Sequence, residues 1–106
     1  MKKQVDFYHT KAWQKVREKV LRRDGYKDFW RARYGISEPA ETVHHVFMLD
    51  DFPELALDPR NLVAVSLYTH RHILHKPDGS LTDAGKKLQA LIFRNYKIGR
   101  LPGADA

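Results

Sequence analysis

Apolar residues recur at helical spacing early in the chain. Trp13, Val16 and Val20 fall three and four apart, with Thr10 before them as an N-cap and Gly25 after them as a stop. They predict a helix running to about Asp24. Tyr26, Trp30 and Tyr34 recur every four residues and close at Gly35, which predicts a short second helix burying its aromatic rings. Residues 37–40, with Pro39, form a connector. The period then changes. Residues 41–47 are β-branched around a histidine pair and read as a short strand, and residues 61–65 read as a second one. The acidic stretch 48–60 between them, with two prolines, is a loop. Ser66 can cap a helix carrying Tyr68, His70 and Ile73, and Pro77-Asp78-Gly79 is a turn. Ser80, with Asp83 three residues on, starts a last helix over about 81–95 with Leu81, Ala84, Leu88 and Leu91 facing the core. The tail from Ile98 is expected to be loose. The fold class is α+β: two short strands and a helix over about 41–76, between an N-terminal helical part (about 7–35) and a C-terminal helix.

The 106 residues suffice for one domain with a single modest core, and an apolar share of 42% favours folding over disorder. No apolar run reaches membrane-spanning length, and the N-terminus lacks the apolar stretch of a signal peptide. The chain has no cysteine, which excludes disulfides and thiolate metal sites and fits a cytoplasmic location. The net charge of +6 is unevenly spread. Residues 1–34 carry eleven Lys/Arg against four Asp/Glu, residues 35–66 one against six, and the remainder seven against three. Basic flanks around an acidic centre suit a polyanion gripped at its edges with a cation at the middle. Lys11, Lys15, Lys19 and Arg22 form one stripe of the first helix, which is either a solvated face or a phosphate-contacting one.

Five of the six histidines lie between positions 44 and 75. Phosphodiester hydrolysis needs a deprotonated water, charge stabilisation at phosphorus and help for the leaving oxygen. A divalent cation can do the last two jobs, and an imidazole near its ordinary pKa of about 6.5 can do the first. Adjacent strand residues point to opposite faces, so His44 and His45 divide the work: one for the metal, one for the water.

The order V43-H-H-V, then A56-L-D-P-R-N-L-V-A-V, then His70 nine residues after Asn61, resembles the HNH endonuclease family, the ββα-metal fold. Y8-H-T-K-A-W and V20-L-R-R-D-G-Y resemble the preceding helix of its phage-type members. The resemblance implies a ββα-metal nuclease core flanked by an N-terminal and a C-terminal helix, and a metal-dependent endonuclease acting on DNA. By it His44 and His70 ligate the metal, His45 is the general base, and Asn61 braces the loop between the strands. Arg71 joins Lys11, Lys15, Lys19 and Arg22 as candidate DNA contacts. The implied cofactor is one divalent ion, magnesium first, with manganese, nickel or zinc as alternatives. The implied setting is phage genome processing beside terminase subunits in the cytoplasm of a bacterial host. The rival reading is a non-catalytic DNA-binding module of a packaging or restriction complex.

Two departures stand out. Colicin-type relatives add a histidine four residues beyond the helix ligand, where this chain has Leu74; His75 comes one residue late. His72 falls opposite His70 on an α-helix. A site with two protein ligands is therefore expected, with His72 and His75 as surface or DNA-contacting residues. Many relatives also hold a structural zinc through two Cys-x-x-Cys pairs. Their positions here correspond to Asp28 and Arg31, and to Ser66 and Thr69, so no structural zinc is expected and Phe29 and Trp30 should pack in its place.

Overall fold

The structure, a computed structural model, describes residues 6–101. Helix α1 spans Lys11–Arg23; the Thr10 hydroxyl accepts the Trp13 N–H at 3.1 Å, which starts it. Gly25 and Tyr26 both take left-handed conformations after it. That reversal keeps Tyr26 out of the next helix, so α2 is only Phe29–Ala32. Trp30 alone of the expected aromatic trio is buried, whereas Tyr26 and Tyr34 are exposed.

Strands β1 (Thr42–His45) and β2 (Leu62–Val65) pair antiparallel, with Thr42 opposite Val65, Val43 opposite Ala64, His44 opposite Val63 and His45 opposite Leu62. Because side chains alternate, Val43, Leu62 and Ala64 face α1 and pack with Trp13, Val20 and Leu21. Val63 and Val65 face the other way, into a core with Trp30, Phe47, Leu74, Leu88 and Ile92. That second layer comes from a π-helix, Thr69–Leu74, and from α3, Asp83–Tyr96. The sheet is thus a two-stranded partition between two apolar clusters.

Two carboxylates cover the outer edge of β2. Asp24 accepts the Ala64 N–H at 2.9 Å, and the fully buried Asp28 accepts the Ser66 N–H at 2.7 Å. Asp28 also caps α2 through the Arg31 N–H at 2.7 Å. Arg31 reaches Glu38 at 3.2 Å, Glu38 accepts the Ser66 hydroxyl, and Ser66 bonds Thr69 at 3.1 Å. All four positions aligned with the zinc cysteines therefore belong to one polar network. Phe29 and Trp30 were expected to fill this place by packing. Instead both pack into the larger core, and hydrogen bonds join the two chain segments.

The C-terminal part also departs from expectation. Thr82, not Ser80, caps α3 through the Gly85 N–H, while Ser80 is held by Asp78 and Leu81 bridges to His75. The buried face of α3 is Gly85, Leu88 and Ile92, flanked by Ala84 and Leu91. The start of the tail is anchored: Ile98 is buried and Leu101 packs on the core. Gly99, with φ +79°, lies against the Phe47 ring so closely that a Cβ would sit 2.4 Å from it. Residues 102–106 lie outside the described residues.

Candidate metal and catalytic centre

His44 and His45 end β1 and, by strand alternation, leave it on opposite faces. His45 turns toward α1, where the Trp13 indole stacks on it with centroids 5.0 Å apart and planes 20° apart. Phe7 and Tyr8 enclose it further, at 5.9 and 6.1 Å. Its Nε2 lies 2.9 Å from the Ala56 carbonyl oxygen, which can only accept, so Nε2 carries the proton and Nδ1 keeps a lone pair. Burial lowers the pKa of His45, partly offset by the Ala56 hydrogen bond. The ring is therefore neutral at pH 7, the form a general base requires.

The Ala56 carbonyl is itself held in place. The buried Asn61 accepts the Phe47 N–H at 2.8 Å and donates to the Phe47 and Leu55 carbonyls at 3.0 and 3.3 Å. It ties both ends of the loop 47–61 together and fixes the residue before Ala56. Asn61 lies beneath this loop, away from the cleft, and bears on His45 only through the backbone.

His44 turns toward the π-helix. Its ring centroid lies 5.4 Å from that of His70 and 5.2 Å from that of His75, and the latter two are 4.8 Å apart. One nitrogen from each of the three can lie within 4.8 Å of the others. His44 is fully buried, yet neither of its ring nitrogens has a hydrogen-bond partner. Buried imidazoles are normally satisfied, so two orphaned nitrogens beside two further imidazoles fit a cation. His75 Nδ1 is 2.9 Å from the Gly79 carbonyl oxygen, which leaves Nε2 as the ligating atom; an outer hydrogen bond of this kind is typical of metal-bound histidine.

Helical spacing puts His75 outside the site, whereas the structure brings it beside His44 and His70. His72 is the one that stays out: its ring packs on Tyr68 at 4.9 Å, and it lies at the cleft rim. The cluster and His45 open onto one cleft of about 800 Å³. Arg17, Arg71 and Lys76 line it, as do Tyr8 and Trp13. Of the five candidate DNA contacts, Arg71 lines the cleft. Lys11, Lys15, Lys19 and Arg22 are exposed on the opposite side of α1 from Trp13, and none lines the cleft. Arg17 was missed, although its position four residues after Trp13 places it on the same helix face. Its guanidinium donates to the Glu41 carbonyl at 2.7 Å.

Burial, followed by the neighbouring His70, His75 and His45, holds His44 well below the ordinary value of 6.5. His70 is pushed down to about 4, by burial first and then by His75, Arg71 and His45. Neutral imidazoles are the metal-binding form. Both folded values lie below the unfolded one, so on acidification the unfolded chain takes up protons first. The stability of the metal-free protein should therefore be full above about pH 6.5 and fall progressively toward about pH 4. Thermal unfolding in chelator between pH 7.5 and 4.5 checks this at roughly half-unit steps. A melting temperature that stays flat across that range would contradict the buried, neutral state of the cluster.

A β-hairpin followed by a helix, with histidines gathered between them, defines the ββα-metal class of fold. Among solved structures, the chain is similar to the crystal structure of the HNH endonuclease of deep-sea thermophilic bacteriophage GVE2 with manganese ion. The TM-score is 0.63 over 90% of this chain and 87% of that one, at 22% identity. At that identity the likeness establishes the fold. No protein-family profile and no curated protein sequence matches the chain.

Proposed function

We propose that the protein is a metal-dependent endonuclease that hydrolyses DNA phosphodiester bonds. One observation carries this reading. Two adjacent residues of β1 bring to a single cleft a neutral imidazole with a free lone pair and a buried imidazole with both nitrogens unpartnered. The likeness of the fold to a phage HNH endonuclease supports the same chemistry.

His45 Nδ1 takes the proton from the attacking water, while the Ala56 carbonyl and the Trp13 face hold the ring in the productive tautomer and orientation. Asn61 keeps that carbonyl in register. A divalent cation at His44, His70 and His75 would supply Lewis-acid charge to the phosphoryl oxygen and the departing 3′ oxygen. Arg17, Arg71 and Lys76 line the cleft, alongside Glu41 and Asp50, and are the side chains there that can meet backbone phosphates. The lysine stripe of α1 can bind DNA only on a separate face from the cleft. A setting in phage genome processing beside a terminase, within a bacterial host, is what the sequence resemblance implies for such an activity.

Nicking of supercoiled plasmid tests the proposal. Relaxed and linear products should appear with a divalent cation and disappear with excess chelator. Tight binding of DNA without nicking in any divalent cation would favour a non-catalytic DNA-binding module.

A further inference from the structure

Helix α1 carries six Lys/Arg and a single acidic residue between Lys11 and Arg23. Two of the cations are committed to neighbouring segments. Arg17 donates to the Glu41 carbonyl at 2.7 Å, and Arg23 to the Pro59 and Leu62 carbonyls at 2.8 and 2.7 Å. The other four, Lys11, Lys15, Lys19 and Arg22, fall within roughly a quarter of the helix circumference at about 100° per residue. All four are exposed, on the side away from the buried Trp13, Val20 and Leu21.

This face does not serve the stability of the helix. Lys11 and Lys15 are like charges four apart, as are Lys15 and Lys19, and the first turn has no acidic residue to complement the helix dipole. Among the described residues none of the three lysines forms an ion pair. The one carboxylate of the helix, Glu18, is taken by Arg22 at 3.5 Å and by the Tyr26 hydroxyl. A surface kept for solubility alone intersperses both signs.

The shape of the stripe narrows its ligand. From Lys11 to Arg22 the helix rises about 16 Å, and one strand of B-DNA sets a phosphate every ~3.4 Å of its axis, so the four cations face about five base pairs. A lipid surface fits poorly, because the apolar face of α1 is already buried against the sheet. None of the four lines the cleft, and a helix about 10 Å thick stands between, so a short straight duplex seated in the cleft does not reach them. We propose that the outer face of α1 is a second duplex-binding surface, so that one chain holds two DNA segments at once, one in the cleft and one on the stripe. The proposal rests on the reading of the cleft as the seat of the cut duplex. The stripe grips phosphates and carries no chemistry.

Energy transfer between donor-labelled and acceptor-labelled duplexes of about 16 base pairs, roughly one and a half turns, tests it on the whole protein in excess EDTA. The parent should bring the two labels together and saturate at two duplexes per chain. Lys15→Gln combined with Lys19→Gln removes two charges at little cost in helix propensity. It should weaken the second binding event by roughly 10–100-fold at about 0.1 M salt, reduce its log–log salt slope by about 2 and abolish the transfer, with one duplex still bound. Arg71→Gln combined with Lys76→Gln should also abolish transfer, and here the duplex that remains should be the one on the stripe. Saturation of the parent at one duplex per chain would overturn the proposal. So would transfer that is lost in the cleft variant and kept in the stripe variant, since two clefts of a dimer would then do the bridging. A stripe that prefers poly-glutamate to duplex DNA would overturn it as well. Two duplexes held by a protein that nicks no DNA would uphold it and remove the nuclease reading. Nicking by a protein that holds only one would do the reverse.

Discussion

His45→Ala should lower the rate of DNA cleavage by about 10²–10⁴-fold while leaving DNA affinity nearly unchanged. The expectation follows from where the ring sits. Its protonated nitrogen is committed to the Ala56 carbonyl, and the other is the lone pair that the proposed chemistry uses. The cationic side chains of the cleft, Arg17, Arg71 and Lys76, are untouched by the substitution, so binding should persist. At saturating metal, the rate of the parent should rise with pH through a midpoint below the ordinary histidine value, because burial lowers the pKa of His45. His72→Ala serves as the control, since His72 packs on Tyr68 outside the cluster. Cleavage by His45→Ala at the parental rate would remove His45 from the chemistry. An equal loss from His72→Ala would show that the wrong histidine had been chosen.

How far the sequence could be read depended on the range of the interactions involved. The Thr10 cap, the two strands and the different orientations of His44 and His45 are local properties of spacing and alternation, and they were legible. The gathering of His75 with His44 and His70 was not. The π register at Thr69–Leu74 comes with Leu74 in the core and with Thr82, the N-cap of α3, and Gly85 set against the Leu74 carbonyl. None of these shows in the periodicity of the helix itself. The same applies to Tyr26, whose fit to an aromatic stripe was undone by its own left-handed backbone after Gly25. Arg17 stands apart from the lysine stripe of α1: it shares the Trp13 face and lines the cleft, whereas the stripe does not. Glu38 was invisible as a network partner because its contacts to Arg31 and Ser66 bridge 7 and 28 residues of chain.

Excess EDTA should abolish cleavage and leave a cooperative thermal transition, lowered by only a few degrees. Turnover should stop because the proposed cation site lies within the cleft that holds His45. The fold should survive because the segments that zinc crosslinks in many HNH endonucleases, which the sequence resembles, are joined here by hydrogen bonds. Asp28 binds the Ser66 and Arg31 N–H groups, and Glu38 binds both Arg31 and Ser66. Chelation removes none of these. The small expected decrease is mass action, since only the folded chain presents the three imidazoles together. Asp28→Ala should have the opposite profile. It leaves two backbone donors without their carboxylate, one of them the buried Ser66 N–H, which should cost about 2–4 kcal/mol of stability. Nickel affinity of the molecules that remain folded should hardly change. Measuring unfolding and cleavage side by side, with and without EDTA, separates the two effects. Collapse of the fold on chelation would show that a metal joins the two segments, and an Asp28→Ala protein as stable as its parent would show that this network does not.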